Sequence, residues 1–293
     1  MIEYLQLIGA TVCSAMMSIV GAFYARKTQG KSNTNAVYSL VLCTVAFACW
    51  SIAWLVDFSF DARVLPYALA FAVFYCTAIW GKVAAFRVGP MLITSFLCQL
   101  SLIAVSIYGF FFWGEAFTPL IGLGFVLVIL SIALCLYKGK SNKSADKKSF
   151  SWKWLLCVAA SFFGNAICSI VQREQQIAFD YAYGNALMFF ALLCAVVIFF
   201  VVWLKTDKKD TVVLLKTNGY LPVIAGVGNV FMNVCVILLA SATLSASLVF
   251  PTMSVGALAL TTLFSLFAFK ERLRWWQWLG ILLGAIAIVI LSI

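Results

Sequence analysis

KGKSNKSADKKSFSWK, residues 138–153, is the one clearly hydrophilic linker of the chain, and it falls near the middle of 293 residues. Working outward from it, apolar runs of about 20 residues alternate with short polar or charged breaks. That is the length an α-helix needs to cross the hydrocarbon core of a bilayer at 1.5 Å per residue. Five runs precede the linker, near 4–25, 36–56, 65–85, 88–112 and 118–137; five follow it, near 152–173, 184–204, 220–241, 246–269 and 275–292. The third and fourth runs are separated only by "WGKVAAFRVGPM", where Lys82, Arg87 and the Gly89-Pro90 pair supply the turn signal. The expectation is an all-α integral membrane protein of ten transmembrane helices. Its organisation is residues 1–137, a hydrophilic cytoplasmic linker 138–151, and residues 152–293.

Composition agrees. Hydrophobic residues make up 65% of the chain and charged residues 10%, with mean hydropathy +1.06, more apolar surface than a soluble fold can hide. Lys and Arg total 20 against 10 Asp and Glu. No basic patch interleaved with stacking aromatics accompanies that excess, so it reads as loop charge in a polytopic protein and not as a nucleic-acid interface. The ten cysteines are scattered singly through the apolar runs and read as small buried hydrophobes. The first run is too long for the apolar core of a signal peptide and no A-x-A site follows it, so it is expected to stay as the first helix.

The halves echo each other. A shift of 156 positions lays Glu115 on Glu271, Gly124 on Gly280 and Phe111 on Phe267, without a gap from Ala84 to Leu134. In each half a helix ends in a loop holding a Glu, and nine residues later a Gly lies inside the next helix. A second echo is Ser18-Ile19-Val20 against Ser169-Ile170-Val171. Five is odd, so two successive five-helix units cross the membrane in opposite senses, the inverted-repeat plan of secondary transporters. Loops 1-2, 3-4, 5-6, 7-8 and 9-10 hold 18 of the 20 Lys and Arg; the opposite side holds Arg63 and Arg173. The positive-inside rule places the first set in the cytoplasm of an inner-membrane protein and both termini outside.

With ten runs in two sets of five, the closing stretches "FFFWGEAFTPLIGLGFVLVILSIAL" (110–134) and "FSLFAFKERLRWWQWLGILLGAIAIVIL" (264–291) resemble the drug/metabolite transporter superfamily, and within it the ten-helix EamA-type members. "ASATLSASLVFPTMSVGALALTTLF" (240–264) looks like that family's small-residue approach to the ninth helix, with a Pro early in it. The resemblance implies transport, by an exporter of a small organic metabolite, and leaves the solute open. Related branches exchange sugar phosphates and nucleotide sugars, and short relatives flip lipid-linked sugars, which is the runner-up function. Several relatives are thought to keep both termini in the cytoplasm, against the loop charges here. The small multidrug branch couples export to protons through a Glu in the first helix; this first helix, "LQLIGATVCSAMMSIVGAFYA", has no carboxylate. Glu174 and Asp57 are the remaining coupling candidates.

A polar side chain inside lipid costs free energy unless it has a partner or water, so mid-helix polar residues are the candidate cavity lining. Asn229 and Asn233 lie four apart on one face of the eighth run. Their counterparts under the 156-residue shift are Val73 and Thr77, which places Thr77 opposite Asn233 at a repeat interface. Gln99 on the fourth run, with Asn165 and Ser169 on the sixth, join the set; the competing reading of all of these is plain interhelical hydrogen bonding. Trp54 and Tyr75 are candidate aromatic walls, against an interfacial aromatic belt. Lys82 is placed to attract an anionic group such as a carboxylate, against snorkelling to headgroups.

An enzyme is disfavoured. The chain has no His, which removes the commonest general base and metal ligand together, and no nucleophile, zinc or phosphate-loop motif replaces it. No cofactor is expected. A channel predicts a continuous polar stripe, whereas the polar positions here cluster near mid-helix. The expected partners are a small-molecule substrate and the lipid bilayer, with a monomer or homodimer equally open.

Overall fold

The computed structural model describes residues 2–114, 119–137, 151–240, 246–269 and 274–291. Glu115, Glu271 and most of the central linker lie outside the described residues. Among those described the chain is helical, without strands. The first half holds α1 (Ile2–Lys27), α2 (Thr34–Val56), α3 (Leu65–Val88), α4 (Met91–Gln99), α5 (Ser101–Phe112) and α6 (Pro119–Leu136). The second holds α7 (Trp152–Ala178), α8 (Gly184–Lys205), α9 (Thr211–Asn218), α10 (Tyr220–Ala240), α11 (Ala246–Phe264) and α12 (Trp275–Leu291). Among the described residues seven helical stretches are long and apolar enough to cross a membrane, with α4 and α5 counted as one. Three shorter apolar stretches lie within α6, α11 and α12. The architecture is that of an all-α membrane protein, compatible with a multi-pass chain.

The breaks have local causes. Asp61 accepts from the backbone N–H of Arg63 at 2.8 Å and opens a 3-10 turn (Ala62–Val64) that leads into α3, whose first turn carries Pro66. α3 stops at the expected Gly89-Pro90 pair. Gly89 is required there by a close approach: the indole of Trp154 on α7 occupies the space a Cβ would fill. Trp154 then donates through Nε1 to Thr94 Oγ1 at 2.9 Å and so pins the α3–α4 corner.

Two features depart from the sequence expectation. The fourth run is two helices, α4 and α5, broken at Leu100 without a proline or glycine. Side chains take up the carbonyls at the break: Ser101 Oγ donates to Cys98 O at 2.6 Å, and Ser254 Oγ on α11 donates to Gln99 O at 3.1 Å. The loop expected between the seventh and eighth runs contains a helix of its own, α9. Asp210 at its start accepts from Ser32 N at 2.8 Å and Ser32 Oγ at 3.1 Å, which ties it to the α1–α2 loop.

Packing runs chiefly between the halves. α3 lies along α7, α1 along α10, and α6 along α12; α2 packs on α8 and α10, α3 also on α8, α1 also on α11, and α4 and α5 on both α7 and α11. The largest apolar core joins α1, α2, α3, α8 and α10 around Leu42, Trp50, Phe71 and Leu192. A second joins α4, α7, α11 and α12 around Phe96, Trp154, Leu258 and Ile281.

Candidate functional site

Between these cores six helices enclose a cavity of about 110 Å³, room for several water molecules. α3 presents Phe71, Tyr75, Ile79 and Lys82, spaced so that one helical stripe faces inward. α1 adds Ser14 and Met17, and α4 adds Cys98 and Gln99 from the turn just before the break at Leu100. From the second half come Asn165, Ser169 and Gln172 on α7, Asn229 and Asn233 on α10, and Phe250 and Met253 on α11.

Seven of the nine sequence candidates therefore share one cavity: Tyr75, Lys82, Gln99, Asn165, Ser169, Asn229 and Asn233. Thr77 does not. It is exposed on the outer face of α3 and donates to Val73 O at 2.9 Å. Each helical residue turns 100°, so a position two residues past Tyr75 faces away from the stripe that Tyr75 and Lys82 share; the expected pairing of Thr77 with Asn233 is corrected accordingly. Trp54 is also outside. It stands near the end of α2, donates to Ser59 O at 2.9 Å, and stacks on Phe189 at 4.3 Å between centroids. Glu174 lies beyond the cavity near the end of α7, accepting from Trp113 Nε1 at 2.9 Å. Asp57 accepts from Asn185 Nδ2 at 3.3 Å in an exposed position.

Part of the lining is already paired. Lys82 Nζ donates to Ser18 Oγ at 2.8 Å instead of snorkelling outward. Gln99 Nε2 donates to Ser14 Oγ at 3.2 Å, Asn165 Nδ2 to Ser101 Oγ at 2.7 Å, and Asn233 Nδ2 to Asn229 O at 2.9 Å. Three cavity groups have no protein partner among the described residues: the Tyr75 hydroxyl, Gln172 Nε2 and Asn229 Oδ1. Their residues are exposed to only 8%, 6% and 1%. A buried polar atom without a partner costs about 1–3 kcal/mol, so these three, on lining residues but themselves shut off from free space, leave unsatisfied polarity beside the cavity. Among the described residues that line the cavity Lys82 is the one cation, and none is an Asp or Glu.

Sequence reasoning missed Ser14, Cys98, Ser161 and Cys168, which also line the cavity. Ser14 and Ser18 lie four apart on the first helix, a signal of the same kind as the Asn229-Asn233 pair. The cysteines carry no such signal, because a buried thiol reads like any small apolar side chain.

The chain is similar to a solved structure described as "Crystal structure of protein", with TM-score 0.59 and 14% sequence identity over 96% of this chain and 95% of that one. No family model and no curated protein matches the sequence. At 14% identity the likeness is one of fold, and it extends over nearly the whole of both chains.

Proposed function

We propose that the protein is a secondary transporter that moves a small organic solute across the membrane by alternating access between two inverted five-helix repeats. The observation that carries this reading is the pattern of packing around the cavity. Matching α1, α2, α3, α4/α5 and α6 to α7, α8, α10, α11 and α12 turns the α3–α7 seam into the α1–α10 seam. The same exchange turns α1–α11 into α7–α4/α5, and α2–α10 into α3–α8, while α2–α8 and α6–α12 map onto themselves. It also maps the cavity onto itself, since α1, α3 and α4 line it from one half and α7, α10 and α11 from the other. A solute site at the interface of two related halves is what rocking one half against the other requires.

Ten crossings fit these helices. α6 has 18 residues and α12 has 17, about 26 Å of helix each, close to the thickness of a hydrocarbon core. The loop charges favour an inner-membrane protein with loops 1-2, 3-4, 5-6, 7-8 and 9-10 in the cytoplasm, and the resemblance to drug/metabolite transporters favours export. The test is counterflow in proteoliposomes preloaded in turn with amino acids, monocarboxylates, nucleobases, sugar phosphates or quaternary amines. One class is expected to exchange, and Asn233→Ala to slow it at least tenfold. Exchange of no class, or an unchanged rate in Asn233→Ala, sinks the reading.

A further inference from the structure

The chemistry of the lining narrows the solute class of that cavity; the inference rests on the transport reading. Lys82 brings one positive charge into a lining otherwise made of neutral groups, and among the described residues its one hydrogen-bond partner is Ser18 Oγ. A buried cation is stabilised by an anion within hydrogen-bond reach, and the described lining residues supply none. Two of the three ammonium donors remain for a ligand. A single ammonium is a point charge without the fork of an arginine, and no second cation stands among the described lining residues, so the complement is one negative charge and not a dianionic phosphate.

The rest of the lining fixes the other end. Tyr75 sits seven residues from Lys82 on the same stripe of α3, about 10 Å along the helix. Its hydroxyl, with Gln172 Nε2 and Asn229 Oδ1, offers both donors and acceptors that find no protein partner among the described residues. Phe71, Ile79, Met232 and Met253 supply apolar wall. An ammonium on the solute would meet no carboxylate there. We propose that the cavity takes an amphipathic organic monoanion, with its carboxylate on Lys82 and a hydroxyl or amide group about two helical turns away among Tyr75, Gln172 and Asn229.

The test uses the full-length protein, purified in lipid-free detergent, and reads thermal stabilisation by titrated solutes. The probes are hydroxylated and unsubstituted medium-chain and aryl monocarboxylates, the matched primary amides and amines, phosphate monoesters and inorganic phosphate. In the wild type a hydroxylated monocarboxylate is expected to bind at least tenfold more tightly than its amide, its amine or any phosphate. Lys82→Gln is expected to melt higher than the wild type without solute, because an unpaired buried charge is gone, and to lose at least tenfold in carboxylate affinity. Lys82→Arg keeps binding within a few-fold. Equal affinity for carboxylate and amide, preference for a phosphate, or full carboxylate affinity in a folded Lys82→Gln overturns the assignment. Should Lys82→Gln fail to fold, the wild-type comparison and Lys82→Arg decide the matter. Counterflow of a neutral or cationic solute that is blocked by Asn233→Ala and indifferent to Lys82→Gln overturns the anion class alone; absence of both binding and counterflow for every probe overturns the transport reading with it.

Discussion

The α3–α7 and α1–α10 seams exchange with each other under the two-repeat reading, yet they are built differently. In the first, backbone meets backbone. A Cβ added at Gly81 would lie 2.6 Å from Cys157 O, and one at Gly164 would lie 2.7 Å from Phe74 O and 2.8 Å from Ala78 N. The two glycines are reciprocal, each opposite the other helix's main chain, and Trp154 bolts the same side to the α3–α4 corner. In the second, backbone meets side-chain tips. A Cβ at Gly228 would lie 2.5 Å from Met16 Cε, and one at Gly9 would be 3.6 Å from Cys235 Sγ. Methionine is unbranched and adapts its shape, so α1 and α10 are separated by material that yields. Seams that the two-repeat reading makes equivalent are thus unequally stiff, and under the transport proposal the yielding one is expected to shift.

The comparison breaks most directly at Gly164. Gly164→Ala drives a methyl into the main chain of α3 and is expected to cost about 3 kcal/mol, seen as a large drop in melting temperature by intrinsic fluorescence. Gly228→Ala displaces only the end of Met16 and is expected to cost less than about 1 kcal/mol; equal costs at the two positions would end the distinction between the seams. Trp154→Phe keeps most of the apolar bulk and removes the hydrogen bond to Thr94, for an expected loss of about 1 kcal/mol on the stiff side. An unchanged melting curve there would show that the indole nitrogen contributes nothing to the corner.

The smallest effect belongs to the loops beside the yielding seam. Hydrogen bonds from Ser32, the backbone N–H first and the hydroxyl second, hold the Asp210 carboxyl below its ordinary value. A lowered carboxyl stabilises the folded state above its unfolded value of about 3.9 and stops doing so as pH falls through the folded one. Asp210→Asn is therefore expected to melt slightly below the wild type near pH 7 and to converge with it below about pH 4. A gap that persists at low pH would assign the effect to something other than the carboxylate.

Much of the fold was legible beforehand. The expected run 36–56 became α2 (Thr34–Val56), and 184–204 became α8 (Gly184–Lys205). The Gly89-Pro90 turn fell where the local chemistry put it. The break at Leu100 was not legible, because the hydroxyl that takes Gln99's carbonyl comes from Ser254, 155 positions away. α9 escaped because its eight residues, TVVLLKTN, are too few and too polar to stand out from a loop. Among candidate site residues, the mid-helix amides and Lys82 were singled out by the cost of burying polarity. Thr77 failed because a shift between halves aligns positions along the chain without fixing which way each helix is turned.

Sequence by itself determined where the chain is apolar enough for lipid, where it turns, and which side chains are too polar to face hydrocarbon, since each follows from a residue and its near neighbours. Only the tertiary structure decided which polar groups share a cavity, that Gly81 and Gly164 face each other's helices, and that Lys82 meets Ser18. Those outcomes depend on the rotation and approach of helices far apart in the chain, which close packing selects and local preference does not encode.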